Sequence, residues 1–226
     1  MTTAAPEPRA IREASLDEVE RLGLPLPPPS FPLVWEPGDA VELRATTEIE
    51  ARAAVLHVVV ARCFGMSTEV AMSWLLGSHL VELVTPPEWQ FVIGARGDHR
   101  SFVLHHDAVF ALAWVLGLSR HLDPTIPPAD KLMRQMPDLP GGESFDAWRS
   151  RSLMAPRDAM EAAALLDLYY CLDWAFQEAE RAGLRVPGEM NGNAIGQRRW
   201  ALEWAVIFHG PYHDRPPEWE EVDLSV

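Results

Sequence analysis

Two stretches of this chain have helical spacing and almost no polar side to turn toward water. They constrain the fold more than any other feature. Ala108 to Leu116 is a run of nine consecutive apolar residues, inside a segment from His105 to Leu118 whose spacing predicts one helix. Pro156 to Ala182 predicts a second, apolar almost all round between Ala162 and Cys171. A helix without a polar face has neighbours on every side. No two or three alternating, strand-like runs follow one another, so those neighbours are predicted to be helices too. The expected fold is all-α: a single compact multi-helix array of about seven to ten helices, at a typical length of ~11 residues each.

Proline and glycine mark the joints. Ala10 to Leu22 predicts a short helix with Leu16, Val19 and Leu22 on one face and Gly23 as its stop. Pro25, Pro27, Pro28, Pro29 and Pro32 then forbid helix and predict an extended, proline-rich N-terminal arm. Leu24, Leu26, Phe31, Leu33, Val34 and Trp35 are interleaved with them, which favours an arm packed on the body over a PxxP ligand. Residues 1–45 are read as this helix and arm, and 46–226 as the helical domain, one structural unit overall. Thr46 or Thr47 is the expected cap of the next helix, with Glu48 and Glu50 in its first turn and Ile49, Ala53, Leu56, Val60 and Phe64 at helical intervals. Ser67 is read as the cap of a helix carrying Val70, Trp74 and Leu75, and Thr85-Pro86-Pro87-Glu88 as a further start. Gly94 to Arg100 is read as a turn. Asp123 to Ser144 is broken, with at most a short helix over Ala129 to Met136. Ala194 to Phe208 predicts a last helix, with Trp200 and Trp204 one turn apart.

Charge narrows the function classes. Lys plus Arg number 19 against 33 Asp plus Glu, a formal net charge of −14. Such a field repels phosphate backbones and anionic lipid surfaces, so no nucleic acid and no membrane is expected as partner; the acidic surface is read first as a well-solvated one, and the partner it would suit is a basic protein. The nine-residue apolar run falls far short of the roughly twenty residues of a membrane span. The first ten residues have neither an apolar signal core nor a basic flank, and Cys63 and Cys171 sit in apolar stretches as packing residues suited to a reducing compartment. A cytoplasmic location follows. The chain has no glycine-rich phosphate loop, no His-Glu-x-x-His and no Gly-x-Ser-x-Gly, so no cofactor is expected.

Several landmarks stand in a fixed order: Leu22-Gly23-Leu24-Pro25, Arg44 to Ala53, Ala111 to Gly117, Asp167-Leu168-Tyr169-Tyr170 with Trp174, Gln197 to Trp204, and Trp219 to Asp223. This succession resembles a bacterial all-helical family, the domain of unknown function 4272, over nearly the whole chain. The resemblance implies a fold class and no activity. Cys171 stands where the family commonly has Arg, and Gln197 where it commonly has Glu. Glu220 and Ser225 stand in place of the usual Asp and Thr.

Asp167 is the most informative polar residue, a lone carboxylate in an apolar stretch that must be paired or neutralised. Arg198 and Arg199 are its natural partners, as is Arg52. With Tyr169 or Tyr170 as donor, Asp167, Tyr170, Arg198 and Arg199 could bind a polar ligand. Equally, the carboxylate and arginines could be a buried ion pair locking helices together, and the sequence favours that reading. Glu203, one turn after Arg199, is read as a helix-surface pair. His105-His106-Asp107 opens a helix on which adjacent residues point about 100° apart, which disfavours a shared metal; Asp107 there suits the helix dipole. His209, His213 and Asp214 lie in a Gly-Pro turn and are the weaker candidates for metal ligands. Gly188 to Gly196 is a loop that could receive an anion, but with only backbone geometry and no Lys or Ser behind that reading the sequence favours a plain connection. The expected function is a non-enzymatic interaction or regulatory module with an acidic surface. The alternative is a small-ligand-binding protein or enzyme built on the Asp/Tyr/Arg cluster.

Overall fold

The computed structural model describes residues 2–94, 97–128, 130–152, 154–213 and 215–225, with nothing said of the Asp130 side chain. In chain order the elements are β1 (Thr3–Ala4), α1 (Pro8–Arg21), β2 (Ala40–Leu43), α2 (Thr46–Cys63), α3 (Thr68–Gly77), α4 (Pro86–Gly94), α5 (His99–Val115), α6 (Asp130–Met133), α7 (Phe145–Arg151), α8 (Ala159–Arg181), α9 (Gly192–Ala205) and β3 (Val206–His209). The fold is therefore mainly helical, with a small sheet that periodicity did not disclose. The chain divides into two compact units: residues 1–44, 123–127 and 157–226 form the first, and 45–122 with 128–156 the second.

In the first unit, α1 and α9 both pack on α8. Asp158 caps α8 by accepting from the Met160 amide at 2.8 Å, and Glu161 and Arg181 complement the dipole at its two ends. The buried face of α1 is Pro8, Arg12, Ser15 and Val19, so an arginine lies within the stripe that faces the core. The sheet has the order β1-β2-β3, antiparallel throughout, with Val41 opposite both Thr3 and Phe208. The predicted helix over 194–208 stops at Ala205. Val206, Ile207 and Phe208, β-branched and aromatic, pair with β2 instead, and the Arg44 amide takes the Ala205 carbonyl at 3.0 Å. Residues 24–39 form neither helix nor strand. Trp35 is buried there, its indole N–H donating to the Pro6 carbonyl at 2.9 Å and its ring stacked on Phe208 at 5.0 Å.

In the second unit, α2 is the central helix, buried on every face from Ile49 to Val60 and packed on α5, α3 and α4. It begins at Thr46 with Ala45 in the cap position and no side-chain cap bond, in place of the threonine cap expected. α5 starts at His99, six residues before the predicted His105, because Asp98 caps it by accepting from the Arg100 amide at 3.0 Å. Ala95 and Arg96 of the predicted turn lie outside the described residues. α6 falls within the short helix expected over Ala129 to Met136, whose first residue also lies outside them. Ser144 caps α7, a seven-residue helix too short for periodicity to reveal. Among the described residues no helix is long and apolar enough to cross a membrane.

Candidate functional site

Asp167, Tyr170 and Arg199 lie together in the first unit, with pairings other than those expected, and Arg198 stands apart. Asp167 projects from α8 and is taken by Arg12 of α1, where the sequence pointed to Arg198, Arg199 or Arg52. The Arg12 Nε lies 3.2 Å from both carboxylate oxygens and Nη2 lies 2.7 Å from Oδ1. The same guanidinium also donates to the carbonyls of Phe31 and Pro32, at 3.4 and 3.0 Å. Both partners are buried. Burial works against the Arg12 charge, but the hydrogen bond and charge of Asp167 prevail and raise its pKa.

Two turns along α8, Asp173 takes Arg199 at 2.7 Å. Arg199 also reaches Glu203 at 3.1 Å and the Leu224 carbonyl at 3.1 Å, and is itself 1% exposed. Between the two pairs lies the Tyr170 ring, with the Arg199 guanidinium 4.5 Å and the Arg12 guanidinium 5.7 Å from its centroid, both within cation–π reach. Phe31 packs on the same ring at 4.7 Å. Burial raises the Tyr170 hydroxyl pKa, with Arg199 opposing. Arg198 is the member set apart. It donates to the carbonyls of Asp123 and Ile126 at 2.7 and 2.8 Å and to the Tyr169 hydroxyl at 3.3 Å. Its work is to fasten residues 123–127 to α9.

Two arginines thus serve three carboxylates, Asp167, Asp173 and Glu203. Glu203 is the one left short. Burial raises its pKa, Arg199 opposes by charge and hydrogen bond, and Asp173 and Asp223 push it further up. It is the expected partner of Arg199, yet partly buried rather than on the open helix surface. Glu203 also lines a cavity of about 260 Å³ with Val34, Leu166, Phe208, His213 and Asp223. Chemically, Asp167 and Asp173 are committed as acceptors to arginine; Glu203, with its raised pKa, is the carboxyl best placed to exchange a proton.

The remaining sequence candidates are placed as follows. His209 faces Glu42 at 2.9 Å and His213 faces Asp39 at 2.8 Å, each on its own carboxylate; Asp214 lies outside the described residues. Among the described residues no group of three or more His, Cys, Asp or Glu could hold a metal ion. The loop before α9 already holds an anion of the chain itself: Glu180 accepts from the Gly192 amide at 2.8 Å, and Asn191 caps Ala194 at 3.0 Å. Cys171 is buried and its thiol is pushed up to about 12 by burial first and Asp167 second; Cys63, half-buried, is pushed up to about 11 by burial.

The second unit has its own buried pairs. Arg52 grips Glu88 by both oxygens and donates to the Leu83 carbonyl at 3.1 Å, while the Thr85 amide donates to Glu88 at 3.0 Å. Burial pushes the Glu88 carboxyl up, but Arg52 and the Thr85 amide hold it below the usual range. His105 lies 3.9 Å from the same carboxylate. His105, His106 and Asp107 sit mid-helix in α5, so the expected dipole role for Asp107, at a helix start, does not apply. Arg12 and Asp173, and the pairing of Glu88, are among the buried charges that sequence reasoning missed. The helical spacing of Arg12 with Pro8, Ser15 and Val19, and of Asp173 with Asp167 and Tyr170, was the available signal.

The model of the family described as Domain of unknown function (DUF4272) matches residues 11–222, nearly the whole chain. No curated protein and no solved structure matches.

Proposed function

The chain belongs to the DUF4272 family, and we propose that it works as a non-enzymatic interaction module of the bacterial cytoplasm whose acidic surface receives a basic protein. The observation that carries this reading is the commitment of the buried charges. Asp167, Asp173, Arg198 and Arg199 all spend their hydrogen bonds inside the fold. Charge available to a partner therefore lies outside, and α1 presents some of it in one line. Glu13, Asp17 and Glu20 are exposed at i, i+4 and i+7, on a face turned about 100° round the helix from the buried Arg12 and Val19. A field of this sign steers and orients a cationic surface, and repels nucleic acid and anionic lipid. Two free cysteines suit a reducing compartment.

The test is affinity capture at low salt with the full chain and with a Glu13→Lys/Asp17→Lys/Glu20→Lys variant. The reading expects a basic protein retained by the former, lost by the latter, and released as salt rises toward 0.15 M, where charges are screened beyond about 8 Å. Retention indifferent to salt and to the charge reversal overturns it. A second reading, a small-ligand protein, is favoured by one observation, the Glu203 carboxyl of raised pKa beside its cavity.

A further inference from the structure

The second unit carries a cavity that none of its buried ion pairs enters. It has a volume of about 560 Å³ and lies where α2 ends and α3 begins, walled by His57, Ala61, Met66, Val70, Leu139 and Pro140. Phe64, 73% exposed, also lines it. No wall residue is charged, and the Ser67 hydroxyl in the wall is engaged as the α3 cap. A charged ligand would be desolvated there without a counter-charge, which is costly. Apolar surface with one or two polar groups is the usual make-up of a small-molecule site.

The polar group is His57. It is 7% exposed, and its Nε2 lies 3.1 Å from the Pro137 carbonyl, an oxygen that can only accept. The proton of the neutral ring is therefore on Nε2, and Nδ1 is a bare acceptor. That nitrogen is buried and has no hydrogen-bond partner among the described residues. Burial lowers the pKa of the imidazole to about 4, the Pro137 carbonyl opposes this, and His106 lowers it further, so the ring is uncharged at neutral pH. A buried acceptor left unmet is uncommon in native proteins and calls for an explanation.

We propose that this cavity binds a small, uncharged molecule with an apolar body and one O–H or N–H donor, the donor reaching His57 Nδ1 once a neighbouring wall side chain turns, while the imidazole keeps its bond to Pro137. The site is independent of the acidic surface on α1, which belongs to the other unit. A second cavity of about 470 Å³ shares Val70, Leu139 and Pro140 with the first and is bounded by Trp74, so a longer apolar body has somewhere to extend.

The test uses the full chain and three probes of similar size: phenol, toluene and benzoate. Calorimetric titration should find phenol binding roughly tenfold tighter than toluene, the worth of one hydrogen bond of about 1.4 kcal/mol, with benzoate not binding. In ¹⁵N-histidine spectra, the Nδ1 resonance of His57 should move on adding phenol and stay put on adding toluene. His57→Phe should bring phenol and toluene to equal affinity, and Val70→Trp should abolish both. If either variant fails to fold, the wild-type probe series and the Nδ1 shift decide the matter alone. Equal affinity for phenol and toluene in the wild type overturns the proposal. So does an Nδ1 resonance already typical of a water-bonded nitrogen and unmoved by phenol.

Discussion

At the scale of single residues, the buried charges behave as pairs, so removing the second partner costs less than removing the first. Asp167→Ala leaves the buried Arg12 guanidinium with only the Phe31 and Pro32 carbonyls, and Arg12→Ala leaves the buried carboxylate uncompensated. Each should cost about 3–5 kcal/mol in urea unfolding. The double variant should fall short of the sum by about 0.5–3 kcal/mol; strict additivity would show that the two do not act as a pair. The need for a partner was legible at Asp167, because a carboxylate in an apolar stretch cannot stand alone. The partner was not. Arg12 is 155 residues away, and although Leu16 and Val19 follow it at i+4 and i+7 on the same face of α1, a charged residue within an apolar stripe does not name its partner.

His57 makes a pH prediction with a definite sign. Its folded pKa of about 4 lies below the ordinary value of 6.5. Between those values the unfolded chain binds a proton that the folded chain refuses. Stability should therefore be full above about pH 6.5 and fall as pH drops toward 4, by up to about 3 kcal/mol from this residue. His57→Phe should flatten that part of the urea-midpoint profile between pH 7 and 4.5, and an unchanged slope would refute the assignment. Glu203 has the opposite sense. Its raised pKa means that stability is present below the unfolded value and is lost as pH rises through the folded one. Glu203→Gln should hold or raise the melting temperature at pH 7 relative to wild type, with the difference vanishing near pH 4.

At the scale of elements, long periodic helices were legible and short pieces were not. The spacing located α8 to within a few residues, and the starts of α3 and α4 followed from Ser67 and from Thr85-Pro86. Strands of two and four residues give alternation no length to show itself, so β1 and β2 left no trace. Val206 to Phe208 read equally as the last turn of α9, and only pairing with β2 makes them a strand. The centrality of α2 was also hidden, since Glu50, Arg52 and His57 interrupt its apolar pattern while being buried. In the segment after α1, Trp35 is an anchor separate from the Phe31 and Pro32 carbonyls that Arg12 holds. Trp35→Ala removes a side chain that fills the space beside Phe208 and holds the Pro6 carbonyl. It should cost about 3–5 kcal/mol and open residues 24–39 to protease. Cleavage no faster than in wild type would mean that the anchor lies elsewhere.

At the scale of the whole molecule, the excess of acid was legible from composition alone, while its distribution was not. Arginines buried in pairs with carboxylates, such as Arg12, Arg52 and Arg199, cancel most of the charge inside and leave most of the −14 on the surface. Self-repulsion of that surplus opposes folding and reaches about 30 Å at 0.01 M salt but only about 8 Å at 0.15 M. The melting temperature should accordingly rise as salt is added over this range, by about 2–4 °C for each kcal/mol of repulsion screened. The Glu13→Lys/Asp17→Lys/Glu20→Lys variant should begin higher at low salt and respond less. The same screening must weaken a complex with a basic partner. Stability and binding are thus predicted to move in opposite directions along one salt axis, and a single titration read by melting and by capture separates them. A protein whose stability and binding both rose with salt would be held together, and recognised, by its apolar surface instead.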